Sequence, residues 1–167
     1  VILTVVFFAL GAKATDRVII SGLAYEIDKT EKVATLVRQD RELQGDIVVP
    51  GSVIYEKVNY PVKLSYAAFG ECAEITSVSF QCRAMFLPDY IFSGCYKLRN
   101  VELPNDLQIM GNGCFMNCKM ISAIKLPSTL YGIGSQCFFG CWSLKDIELP
   151  EGMLAVGERG FAFLQIL

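Results

Sequence analysis

A period of 23 residues runs through the chain from Tyr66 onward and limits what it can fold into. Phe69, Phe92, Phe115, Phe138 and Phe161 form one column, and Cys72, Cys95, Cys118 and Cys141 a second. Ile75, Leu98, Ile121, Leu144 and Leu167 make a third, and Val78, Val101, Ile124 and Ile147 a fourth. Phe80, Leu103, Leu126 and Leu149 follow, with Pro104, Pro127 and Pro150 just behind them. Self-similarity at a fixed period is the mark of a stacked array, in which no single unit buries its own apolar face. Each unit then touches only its neighbours, and stacking supplies the core.

This period lies in the range of leucine-rich repeats, where each unit is one coil of a solenoid. In Leu144–Leu149 the residues Ile147 and Leu149 are expected to point inward, and Asp146 and Glu148 outward, with the period of a strand. Leu98–Leu103 and Ile121–Leu126 read the same way. The prolines sit at strand ends, where a missing N–H does least harm. An apolar–glycine pair follows each turn, at Met110-Gly111, Ile133-Gly134 and Val156-Gly157, and suits a change of chain direction. The Phe and Cys columns are expected on a short helical turn, because residues three and four apart share a helix face. The predicted architecture is an α/β solenoid, a short strand plus a short helical turn per coil, with an N-terminal β-hairpin cap.

The pattern P-x-x-L-x-x-I-G-x-x-[CA]-F-x-x-C-x-x-L-x-x-I-x-L resembles the BspA-like leucine-rich repeats of secreted and surface proteins from Bacteroides-type bacteria and some mucosal protists. The resemblance covers Tyr66–Leu167 and extends to Asp46–Pro50 as a degenerate half-repeat. It implies a secreted or cell-surface location. It also implies adhesion-type binding to extracellular or host-surface proteins or glycans, without catalysis.

Three segments are expected. Residues 1–14 read as a partial signal peptide, an apolar run followed by Ala12-Lys13-Ala14. A transmembrane span needs about 20 apolar residues and is the weaker reading, as is a core strand. Residues 15–60 read as a β cap with hairpins at Arg17–Arg38 and Val53–Tyr60. Residues 61–167 carry the repeats, and the last copy stops at its Leu column, so further coils are expected beyond it. The composition, 53% apolar and 19% charged, is that of a folded domain. A net charge of −2 with no Lys/Arg cluster gives no support for a nucleic-acid partner.

The chain has no histidine, which removes Ser-His-Asp, Cys-His and His-ligated metal chemistry. No phosphate loop or dinucleotide fingerprint is present, and no cofactor or small-molecule substrate is expected. Seven cysteines admit three readings: stacked core thiols, an occasional inter-rung disulfide, or a metal site at Cys114/Cys118 and Cys137/Cys141. Every cysteine but Cys82 occupies a repeat column, which favours core thiols. Cys82 is expected in a turn, exposed and reactive. The outward strand positions Ser77, Ser79, Asn100, Glu102, Lys125, Asp146 and Glu148, with Ala123 among them, form a polar candidate binding face. Aromatic anchors lie elsewhere, at Tyr90, Tyr96, Tyr131 and Trp142. They are either a rim packed on neighbouring coils or a convex patch for a partner. An architectural spacer within a larger envelope protein is the alternative function.

Overall fold

The computed structural model describes residues 4–6, 15–145, 147–162 and 164. The signal-peptide reading therefore lies outside the described residues, apart from Thr4–Val6, as does the placement of Asp146 and Leu167. Strand β1 (Thr4–Val6) pairs antiparallel with β2 (Thr15–Ile20), which pairs with β3 (Leu23–Asp28), and β3 with β4 (Val33–Leu36). The sequence reading ran β2 and β3 together. Ser21 and Gly22, at φ 50° and 83°, form a two-residue turn between them. The Asp28 carboxylate accepts the N–H groups of Thr30 and Glu31 at 2.9 and 2.8 Å and closes the next turn.

Strand β5 (Gln44–Val49) is the expected half-repeat. Next come β6 (Ser52–Tyr55) and β7 (Val58–Leu64), the expected second hairpin, turning at Glu56-Lys57. Strand β7 also pairs in parallel with β4, so one sheet runs β1-β2-β3-β4-β7-β6. Strand β8 (Glu74–Phe80) lies between β5 and β10 (Asn100–Glu102) in a parallel ladder. The short strands β9 (Phe86–Leu87), β11 (Ile109–Met110), β12 (Gly132–Ile133) and β13 (Ala155–Val156) form a second parallel ladder. The sequence reading placed no strand there, only an apolar–glycine pair following a turn and changing the chain direction.

The predicted helical turn is not observed: no helix appears among the described residues. The Phe-bearing segments make isolated turns, in which Cys72, Cys95 and Cys118 donate N–H to the carbonyls of Phe69, Phe92 and Phe115, and between those turns they hydrogen-bond from coil to coil. The N–H groups of Phe69 and Glu71 donate to the carbonyls of Ile91 and Ser93 at 2.9 and 2.7 Å. Phe92 and Gly94 donate likewise to Cys114 and Met116, and Phe115 and Asn117 to Cys137 and Phe139. Two columns of left-handed backbone bracket the first four rings and make this possible. One is Ala67, Tyr90, Gly113, Gln136 and Arg159, with φ between 48° and 57°. The other is Glu71, Gly94, Asn117 and Gly140, with φ between 62° and 76°. A helix cannot continue through such residues.

The ring column stands in the interior. Phe69, Phe92, Phe115 and Phe138 are fully buried, and Phe161 packs partly buried beyond them. Successive centroids are 5.5, 5.2, 5.3 and 5.3 Å apart, with planes within 21° of parallel. Side chains of β2–β7 share one apolar cluster with these coils. Gly134 faces the coil before it so closely that a Cβ would stand 2.5 Å from the Gly111 carbonyl carbon. The corresponding Pro88 is tolerated because it follows β9, the edge strand of its ladder.

The four column thiols are buried and free. Cys95, Cys118 and Cys141 each donate S–H to the carbonyl of the Phe one coil earlier, at 3.1, 3.1 and 3.0 Å. Cys72 donates to Asp40 at 3.3 Å, so the loop before β5 stands in for the missing coil. Cys82 is also buried, at 5% exposure, which corrects the expectation of an accessible thiol. Its turn is covered because Cys82 belongs to the same apolar cluster as β3 and the first coil.

Candidate binding surface

The coil presents three outward surfaces. The first is the strand ladder, where parallel pairing sets Ser77 opposite Asn100 and Ser79 opposite Glu102. Ser77 and Ser79 are half-buried, while Asn100, Glu102, Lys125 and Glu148 are exposed. Asp46 extends this surface onto β5, a contribution the sequence reading did not make. Its carboxylate accepts the hydroxyls of Thr76 and Ser77 at 2.7 and 2.6 Å, which hold its pKa below the ordinary carboxylate value. Val48, paired with Ser79, adds an exposed apolar side chain. Glu102 and Glu148 are two coils apart, with Lys125 between them in sequence register.

Toward the later coils a groove of about 1100 Å³ opens, lined by Asn105, Lys125, Pro127, Glu148, Pro150 and Glu151. Ile124 and Leu126 point inward as expected, at 7% and 9% exposure. Leu149 does not. It is 46% exposed and Ile147 is half-buried, because no later coil packs over them among the described residues.

The second surface is the ladder of β9 and β11–β13. Phe86, Tyr131, Leu154 and Val156 are exposed there, Leu154 at 82%. Gly132 leaves a gap between Ile109 and Ala155, and the hollow above it measures about 560 Å³. Of these residues the sequence reading singled out Tyr131 alone as a surface anchor, and took Val156 only as half of an apolar–glycine pair. The others follow the turn where no strand was expected, so no alternation drew attention to them.

The third surface is the edge just after the Cys column. The Lys119 ammonium lies 5.0 Å from the Tyr96 ring centre and 4.8 Å from that of Trp142. The two rings are about half exposed. The rings pack on a neighbouring coil's lysine, as the rim alternative expects, and are still partly open to solvent. Tyr90 instead packs edge-on against Tyr66 at 5.7 Å.

The thiols offer little chemistry. Burial pushes Cys72 and Cys82 up to about 11 and Cys141 up to about 12, and raises Cys95, Cys118 and Cys137 as well. A thiol is nucleophilic and metal-binding as its thiolate, which such an environment disfavours. No group of three or more His, Cys, Asp or Glu side chains among the described residues is placed to hold a metal ion.

Residues 58–167 match the BspA type leucine rich repeat region in six copies. The chain belongs to that family. Among solved structures, the BspA-type chain is similar to the leucine rich repeat protein of T. pallidum. Identity is 27% and the TM-score 0.71, over 86% of this chain and 66% of that one. It is also similar to a leucine-rich repeat protein from Bacteroides ovatus, at 28% identity and TM-score 0.73, over 86% of this chain and 38% of that one. A third, from Bacteroides capillosus, has 26% identity and TM-score 0.66, over 78% of this chain and 95% of that one. The BspA-type chain thus spans less than two thirds of the length of the first two. No curated protein matches it.

Proposed function

We propose that this BspA-type chain is a non-catalytic repeat module, secreted or displayed at the cell surface, that binds extracellular or host-surface proteins or glycans. One observation carries the reading. Stacked phenylalanines and thiols bonded to neighbouring coils occupy the interior. That leaves recognition to the outer surfaces. Ser77, Ser79, Asn100, Glu102, Lys125, Asp146 and Glu148 form the proposed binding face. Successive coils repeat it at a fixed rise, the usual way a solenoid builds an extended binding surface. Residues 15–60 act as the cap of the first coil, since their strands share its apolar cluster.

An array of immobilised matrix proteins, mucins and glycans tests the proposal. The expected result is saturable capture of the full chain by at least one of them, weakened when Glu102, Lys125 and Glu148 are replaced together by alanine. Capture by none of them would overturn the binding role and leave the spacer as the better account.

A further inference from the structure

The outer face of the second ladder is uncharged at its centre and uneven in height. Parallel pairing sets Phe86, Ile109, Gly132 and Ala155 in one outward column. Side-chain size there falls over four coils from a ring to nothing, then returns to a methyl. Met85, Gln108, Tyr131 and Leu154 form the column beside it, one residue earlier on each coil, and neither column carries a charge. Met85, Phe86, Tyr131 and Leu154 are exposed. At their exposures they offer roughly 400 Å² of side-chain surface, a large patch for one face of a protein in water. The hollow of about 560 Å³ over Gly132 opens in its middle.

We propose that this face packs against the same face of a second copy, with the two solenoids antiparallel. A twofold axis running along the strands, midway between the coils of Ile109 and Gly132, keeps each column opposite itself and reverses the order of coils. Phe86 of one copy then meets Ala155 of the other, and Ile109 meets Gly132. Each large side chain faces a small one, so the contact is self-complementary, as an isologous interface must be. Met85 lies opposite Leu154, and Gln108 opposite Tyr131. An axis along the solenoid would instead set Phe86 on Phe86 and Gly132 on Gly132, a clash beside a void. Charge at the rim agrees with the antiparallel order. Asp89 has no cation partner among the described residues. Its column ends at Glu158, which pairs with Arg159 at 3.7 Å, and the reversed order brings that guanidinium to the rim where Asp89 of the second copy stands. The patch is about half of the ~800 Å² that each partner gives to a standard interface, so the dimer is weak and depends on concentration.

Sedimentation of the full chain from about 1 to 200 µM, a span that brackets weak self-association, tests the proposal. A monomer should pass to a dimer as concentration rises. Gly132→Val fills the hollow. Its Cβ meets Ile109 at 3.5 Å, an ordinary contact, and the backbone there is outside the left-handed region, so the fold of one copy accepts it. G132V should weaken the dimer about tenfold or more with an unchanged circular dichroism spectrum, and E102A on the strand ladder should leave it as it is. Cysteine cross-linking reads the pairing geometry, since all seven native thiols are buried. Positions 86 and 155 lie three coil rises apart in one copy, roughly 16 Å, beyond the reach of a disulfide. Across the proposed interface they face each other. F86C/A155C should therefore give a covalent dimer on mild oxidation, and F86C or A155C alone should not. A monomer throughout, a dimer indifferent to G132V, no cross-link in F86C/A155C, or a cross-link in F86C alone would overturn the proposal.

Discussion

Phe115 and Glu102 mark the two extremes of a residue's role in this chain. Phe115 stacks on a ring at each side at 5.2 and 5.3 Å and has no exposed surface. Phe115→Ala should cost about 3–5 kcal/mol in denaturant unfolding, as buried aromatic truncation does. Glu102 is exposed on the strand ladder, and Glu102→Ala should stay within about 0.5 kcal/mol. The thiols make a second prediction. All seven are buried, so the native protein should give almost no reaction with a thiol reagent near pH 8, and seven equivalents after unfolding. Their pKa values also set the alkaline limit. Burial raises Cys72, Cys82 and Cys141 to about 11–12 and Tyr25 to about 12. Unfolded thiols and tyrosines ionise at roughly 8.5 and 10. The native state favours the neutral forms, so their contribution is complete below the unfolded values. It is lost as pH rises toward the folded ones. The midpoint of urea unfolding should fall steadily between about pH 9 and pH 12, and stay level on this account between pH 7 and 8.

At the scale of the element, the turn that carries each phenylalanine is held by backbone that few residue types favour. Gln136 sits at φ 56° where Gly113 occupies the previous coil at 57°. Gln136→Gly removes a left-handed side-chain penalty of about 1–2 kcal/mol, and glycine's extra chain entropy offsets roughly 0.5–1 kcal/mol of that. Thermal unfolding should therefore show no loss of stability, or a small gain. Gly134→Ala is the opposite case. Its Cβ would press on the backbone of the previous coil, and overpacking of that kind typically costs about 1–3 kcal/mol. These columns explain why the helical turn was misread. Residues three apart do share a face here, as Phe69 and Cys72 show by both being buried. That spacing suits a helix equally well, and the acceptors that decide against it lie in the next coil. Gly94, Asn117 and Gly140, aligned in one column, were the available signal.

For the whole molecule, stability in a solenoid is approximately a sum over coils and the interfaces between them. Hydrogen exchange in Phe115→Ala should therefore accelerate in the coils that carry Phe92 and Phe138, and much less in the hairpin of β2 and β3. Uniform acceleration would mean that the array unfolds as one unit. The period itself determined that successive coils share an interior, which columns fill it and where the strands carrying Val78 and Val101 lie. It did so because every coil meets the same neighbours and repeats the same solution. Only the tertiary structure decided how the segments between are satisfied. Backbone partners 22 residues ahead replaced a helix, and a second ladder appeared at Phe86, Ile109, Gly132 and Ala155. Cys82 went inside, and Lys119 came to rest between two rings. Each of those outcomes depends on what the adjacent coil presents across the gap, which side-chain type and spacing along one coil do not specify.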